Sequence, residues 1–248
     1  MAKSEGADET LAGYSYEELG YIFSWCAKNE EFRQGDLILI GGWAVHSYNP
    51  WKYSLDIDFL STNRFKDLLK EHLYITRGYE KEKDSFGNTV LLKNAPPGEI
   101  YLDFLPKQDM FHNTQIYLYI GKLSYQTTSR KIQFSSFKEY NVIIPEISML
   151  LLLKVKAAWD RYNDIQNVDS ANIERLTEKF SKDCGDIIAL MECDDFRFAR
   201  FEWLSPILKG YHFLKEFIEE GNIEQNSPYS RLSISASKTV IKNFLSVI

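Results

Sequence analysis

Leu37-Ile38-Leu39-Ile40-Gly41-Gly42 and, thirteen residues further on, Asp56-Ile57-Asp58-Phe59 decide the fold of the N-terminal half of this 248-residue chain. Four aliphatic residues after Asp36 have the length and the β-branched content of a short buried strand, and the glycine pair ends it in a tight turn. Trp43 to Tyr48 starts the next helix, stopped by Asn49-Pro50. From Ser54 to Leu60 the chain alternates Leu55, Ile57 and Phe59 with Ser54, Asp56 and Asp58, so a strand here carries both carboxylates on one face.

Working outward, Ser15-Tyr-Glu-Glu18 reads as a capping box opening a helix to about Asn29, which leaves residues 1–14 as a flexible tail. After the second strand, a helix from about Arg64 to Leu73 is capped by Ser61 or Thr62. Two strands, Thr89 to Lys93 and Glu99 to Leu105, then flank a Pro96-Pro97-Gly98 turn, and Asp103 lies in the second. Strand-like pieces at Gln115–Ile120, Lys131–Ser135 and Asn141–Ile144 precede Pro145, after which the pattern is helical at about 146–163, 171–192, 206–220 and 235–247. The expected class is α+β: a mixed sheet flanked by helices over residues 15–144, then a helical domain over 145–248.

Composition narrows the function. A net charge of −6 and a pI near 5.4 give no global field toward nucleic acid or an acidic membrane, so a nucleic-acid partner needs a local basic patch. Cys26, Cys184 and Cys193 are too few and too scattered for a disulfide framework or a zinc site, and an odd count suits the reducing cytoplasm. The longest apolar runs, Leu37–Val45 and Ile147–Val155, are too short to cross a bilayer, and the polar N-terminus is unlike a signal peptide.

Two carboxylates on one strand face can hold magnesium, which bridges nucleotide phosphates and activates an attacking hydroxyl. Asp103, isolated between Leu102 and Phe104, is the natural third ligand, since a core-strand aspartate needs a partner for its charge. Gly41 and Gly42 would let backbone amides approach a phosphate. Taken singly, Gly-Gly is usually only a turn and Asp-x-Asp only a solvated strand face; together they carry more. Strand, Gly-Gly and Asp-hydrophobic-Asp-hydrophobic at this spacing resemble the nucleotidyltransferase superfamily that includes DNA polymerase beta. That resemblance implies Mg2+ on Asp56, Asp58 and Asp103, with Mn2+ able to substitute, and a nucleotide cradled by Gly41, Gly42 and Ser54. Ser54 is about as readily a plain strand serine.

In the helical half, Lys154 and Arg161 lie two turns apart on one helix face, and Asp183 and Asp186 lie one turn apart on the next helix. On residues alone this reads as a salt-bridge network tying two helices. With Val142-Ile-Ile-Pro-Glu146 ahead of it, Lys-x6-Arg followed by Lys182-Asp183-x2-Asp186 resembles AbiEii-type toxin nucleotidyltransferases. That resemblance makes Lys154 and Asp183 required for activity, Asp186 the alternative to Asp183, and Lys154 and Arg161 nucleotide-binding. Lys52 stands where an arginine is common. The histidines (His46, His72, His112, His212) receive no role, and the stripe Phe196, Phe198, Phe201, Trp203 reads as packing rather than base stacking.

The expected reaction is in-line attack of an acceptor hydroxyl on the α-phosphate of a nucleoside triphosphate, with Asp103 as candidate base. The resemblance favours RNA such as a transfer RNA 3′ end, met by a patch of Lys107, Lys122, Arg130, Lys131 and Lys138, and a toxin would need a cognate antitoxin that no residue identifies. A small-molecule or protein acceptor would use the same centre. An inactive nucleotide-binding relative stays open, as does an Asp-x-Asp phosphohydrolase, against which Leu60 stands where a threonine is expected.

Overall fold

The computed structural model describes residues 2–33, 35–83, 89–106, 108–120, 126–167 and 173–248. The chain is α+β and divides into two compact units, Met1–Lys107 with Ile120–Pro145 and Gln108–Tyr119 with Glu146–Ile248. Residues 108–119, which the sequence pattern groups with the sheet, thus belong with the helices.

In the first unit the sheet contains β1 (Leu37–Ile40), β2 (Ile57–Ser61), β3 (Glu80–Lys83), β4 (Thr89–Ala95) and β5 (Gly98–Leu105) in the order β1-β2-β5-β4-β3. It is mixed: β2 and β5 run parallel, and β1–β2, β4–β5 and β3–β4 are antiparallel. Register places Ile57 beside Leu102 and Phe59 beside Phe104 on one face, all four buried. Two helices cover that face, α1 (Ala2–Cys26) and α3 (Asn63–Arg77), with Phe23 packing edge-on against Phe59 at 6.0 Å and Lys70 lying 5.2 Å over the Phe104 ring. Thr62, not Ser61, caps α3: its hydroxyl accepts from Phe65 N at 3.4 Å, whereas Ser61 donates to Asp36 O at 2.7 Å.

Residues 2–14, expected as a tail, are helical. α1 runs unbroken from Ala2 through the expected cap, because Leu11 and Ala12 continue the buried stripe of Tyr16, Leu19, Ile22 and Phe23 toward the N-terminus. The capping-box residues serve tertiary contacts instead. Ser15 Oγ accepts from Trp43 Nε1 at 3.0 Å, and buried Glu18 pairs with Arg77 and, at 2.6 Å, with Lys93. A separate hairpin of β8 (Thr127–Ile132) and β9 (Tyr140–Pro145) completes this unit.

In the second unit α4 (Ile147–Asn167) and α5 (Ile173–Glu192) pack along each other. The expected helix over 206–220 is broken into α6 (Leu204–Gly210) and α7 (His212–Glu219). Gly210 weakens the junction, and Tyr211 is held by donating to Tyr117 O at 2.8 Å and packing on Phe111 at 5.2 Å, so tertiary contact overrides the helical pattern. The segment 108–119, with β6 (Asp109–Met110) and β7 (Tyr117–Leu118), packs Phe111 edge-on against Trp159 and Phe213, at 5.6 and 5.0 Å. α8 (Asn222–Asn226) and α9 (Ile234–Val247) finish the chain; Phe244 of α9 meets Phe196 and Phe201, so these members of the aromatic stripe are packing residues. The Phe198 side chain lies outside the described residues.

Candidate metal and nucleotide site

β1 ends in Ile40, and Gly41 begins α2 (Gly41–Tyr48) with φ at +66°, a conformation glycine adopts without strain. The helix starts where Gly41 turns the chain sharply off the strand, although Ile40 offers no side-chain cap. A Cβ on Gly41 would run into the Asp58 carboxylate, coming within 2.8 Å of its Cγ. The glycine is therefore required twice, by backbone angle and by space.

Asp58 stands opposite Ile40 across β1–β2 and in register with Asp103 across β2–β5. Residues in register on neighbouring strands point to the same side, so the two carboxylates are side by side on the face opposite Phe59 and Phe104. Both are partly solvent-accessible. Phe104 N–H donates to Asp103 Oδ1 at 2.7 Å. The Lys70 ammonium is pushed below its usual range, first by burial and then by Lys66, with Asp103 and Asp67 pulling the other way. Lys70, which has no signature in the sequence pattern, is thus electrically coupled to Asp103.

Asp56 sits differently. β2 begins at Ile57 rather than Ser54, so Asp56 lies in the approach to the strand, and Ser54 is buried there. Among the described residues no three His, Cys, Asp or Glu side chains are gathered closely enough to hold an ion. The pair Asp58 and Asp103 nevertheless fits Mg2+, which commonly takes one or two carboxylates, keeps several waters and completes its shell with substrate phosphates.

In the second unit α4 and α5 bring Lys154, Arg161, Asp183 and Asp186 together. Lys154 Nζ lies 3.0 Å from Asp183 Oδ1 and 2.7 Å from Asp186 Oδ2, and Arg161 pairs with the other oxygen of Asp183. Lys154, Asp183 and Asp186 are buried, so two cations and two carboxylates neutralise one another away from water. A second network went unnoticed in the sequence. Lys156 Nζ meets Asp160 at 2.5 Å, Asp109 at 2.6 Å and Met110 O at 3.0 Å, while His112 Nδ1 pairs with Asp164 at 2.7 Å. Asp160, its carboxyl pushed up by burial against the pull of Lys156 and His112, also accepts from His112 N at 3.0 Å. The i,i+4 spacing of Lys156, Asp160 and Asp164 on α4 was the available signal. His112 thereby has a structural part, pinning 108–119 to α4, and His46 bridges Lys52 O and Gln133 O at 3.1 Å each.

In the expected basic patch, Lys107 and Lys122 lie outside the described residues. Arg130 stacks over Tyr48 at 4.3 Å, Lys131 pairs with Glu139 at 2.8 Å and Lys138 lies 5.8 Å from the Tyr140 ring centre. No described helix is long and apolar enough to cross a membrane. Compared with known proteins, the chain matches no family model and no curated sequence.

Proposed function

We propose that this chain is a metal-dependent nucleotidyltransferase, transferring a nucleoside monophosphate from a triphosphate to an acceptor hydroxyl and releasing pyrophosphate. The observation that carries the reading is the position of Asp58, packed against Cβ-less Gly41 on one side and in register with Asp103 on the other. Strand register holds two like charges as neighbours, an arrangement that a divalent cation stabilises. Such an ion, Mg2+ or Mn2+, would neutralise triphosphate charge and acidify the acceptor hydroxyl.

The chain's own groups divide the remaining work. Gly41 and Gly42, at the start of α2, present backbone amides to the β and γ phosphates without side-chain obstruction. Asp103 accepts the acceptor's proton. Asp56 and Ser54 approach the site from the segment before β2. The resemblance also assigns Lys154, Arg161 and Asp183 to nucleotide binding and activity, but within the second unit their charges are spent on one another.

RNA, such as a transfer RNA 3′ end, is the acceptor the resemblance favours, in a toxin held by an antitoxin; small-molecule or protein acceptors are the alternatives. A second reading, nucleotide binding without turnover, is favoured by one observation: Asp56 stands outside β2, and among the described residues no third carboxylate joins the pair. Incubating the protein with each of four α-labelled nucleoside triphosphates, magnesium and total RNA, beside Asp58→Ala, separates these. Label in RNA that disappears in the variant supports RNA nucleotidyl transfer; label on protein redirects the acceptor. Magnesium-dependent nucleotide binding with no transfer to RNA, protein or small molecule supports the second reading and overturns the first.

A further inference from the structure

A cavity of about 360 Å³ lies in the first unit between one face of α1 and the turn Phe134–Phe137, within the size range of ligand pockets. Its helical wall is Glu9, Thr10, Gly13, Tyr14 and Glu17. Glu9, Gly13 and Glu17 are spaced i, i+4, i+8, so two carboxylates stand one above the other with a glycine notch between them. A Cβ at position 13 would come within 3.2 Å of the Phe137 ring, so the notch is what lets the aromatic wall approach the helix.

That wall is continuous. Phe134 and Phe137 stack at 5.9 Å with their planes 17° apart, and Phe134 is anchored from behind by Trp43 and Tyr53 at 5.6 and 5.9 Å. Tyr14, 43% exposed, stands at the mouth. Glu9 and Glu17 are exposed and neither forms an ion pair among the described residues. A cavity lined by two phenyl rings and two carboxylates matches a planar cation: a guanidinium packs on aromatic rings and donates to carboxylates at its edge, which a compact ammonium does less well.

We propose that this groove binds an arginine side chain presented by a partner protein. A small free cation fits less well, because Glu9, Thr10, Tyr14 and Glu17 are all exposed along one open side, leaving room for the backbone that carries the arginine. The groove is independent of Asp58 and Asp103, so the proposal stands or falls apart from the enzymatic one.

The probe is the capped pentapeptide Gly-Gly-Arg-Gly-Gly, compared by calorimetry with its citrulline analogue, which keeps the shape and loses the charge, and with agmatine. Arginine peptide is expected to bind at least about tenfold more tightly than the citrulline peptide. The double substitution E9Q/E17Q should weaken it by about tenfold, while E80Q/E82Q, which removes the same charge from exposed β3, should leave it unchanged. Equal weakening by both doubles would reduce the effect to bulk charge and overturn the proposal. So would indifference to citrulline, absence of binding, or agmatine binding as tightly as the peptide, which would make the groove a small-cation site. Gly13→Leu, which fills the notch, should abolish binding; retained binding in a folded variant also overturns it.

Discussion

The carboxylates of the sheet and those of the helix pair are built on opposite principles. On the sheet, register sets Asp58 beside Asp103, like charge beside like charge, on a partly accessible face. In the helix pair, Asp183 and Asp186 alternate with Lys154 and Arg161 and are buried. In the proposed reading the first arrangement serves to hold a cation; the second satisfies itself and chiefly fixes how two helices meet. An aspartate in a motif is therefore informative only together with what its neighbours do to its charge.

The sharpest way to break the contrast is catalytic. If nucleotidyl transfer is detected, Asp58→Asn should lower its kcat by about a thousandfold or more. Comparable activity in the variant would detach the pair from the chemistry.

The helix-pair cluster should respond in the opposite sense. Lys154→Met leaves two buried carboxylates short of a cation and is expected to cost about 3–5 kcal/mol in urea unfolding. The triple substitution Lys154→Met, Asp183→Asn, Asp186→Asn should recover much of that loss. A single variant as stable as the wild type would show that the cluster is not the buried network described.

Gly41→Ala should fall between the two, losing about 1–3 kcal/mol because alanine at φ +66° is strained and its Cβ meets Asp58. Gly78→Ala supplies the comparison: φ is +68° there, but nothing lies near its added Cβ. If both cost the same, crowding by Asp58 contributes nothing.

The smallest effect concerns pH. His72 stacks on Trp25 at 4.3 Å and its Nε2 lies 2.8 Å from the Tyr21 hydroxyl, and burial lowers its pKa from 6.5, favouring the neutral ring. A group whose folded pKa is depressed binds its proton more readily when unfolded. The stability it contributes is thus complete above about pH 6.5 and falls as pH drops from there toward the lower folded value. Urea titrations at pH 7.5 and 5.5 should show this loss in the wild type and less of it in His72→Phe.

Much of the first unit was legible because its signals are local. Leu37–Ile40 is a strand bounded as its composition dictates, and Thr62, one of the two caps the sequence offers, starts α3, which runs a turn past the expected end at Leu73 to Gly78 at φ +68°. What misled was each place where a distant contact overrides a local sign. Ser15 has the chemistry of a cap but is taken by Trp43, and Tyr211 interrupts a helical pattern to reach Tyr117. β3, Glu80-Lys-Glu-Lys83, is fully exposed and charged, so no alternation marks it as a strand. In the candidate site, Asp58 and Asp103 could be named from spacing, but their adjacency depends on β5 pairing with β2 across more than forty intervening residues.

The most direct test of the account is Mn2+ binding followed by electron paramagnetic resonance, with and without a nucleoside triphosphate. The account predicts that the wild type holds an ion more tightly when nucleotide is present, and that Asp58→Asn and Asp103→Asn each abolish this gain. Wild-type binding matched by both variants, or no binding even with nucleotide, would contradict it.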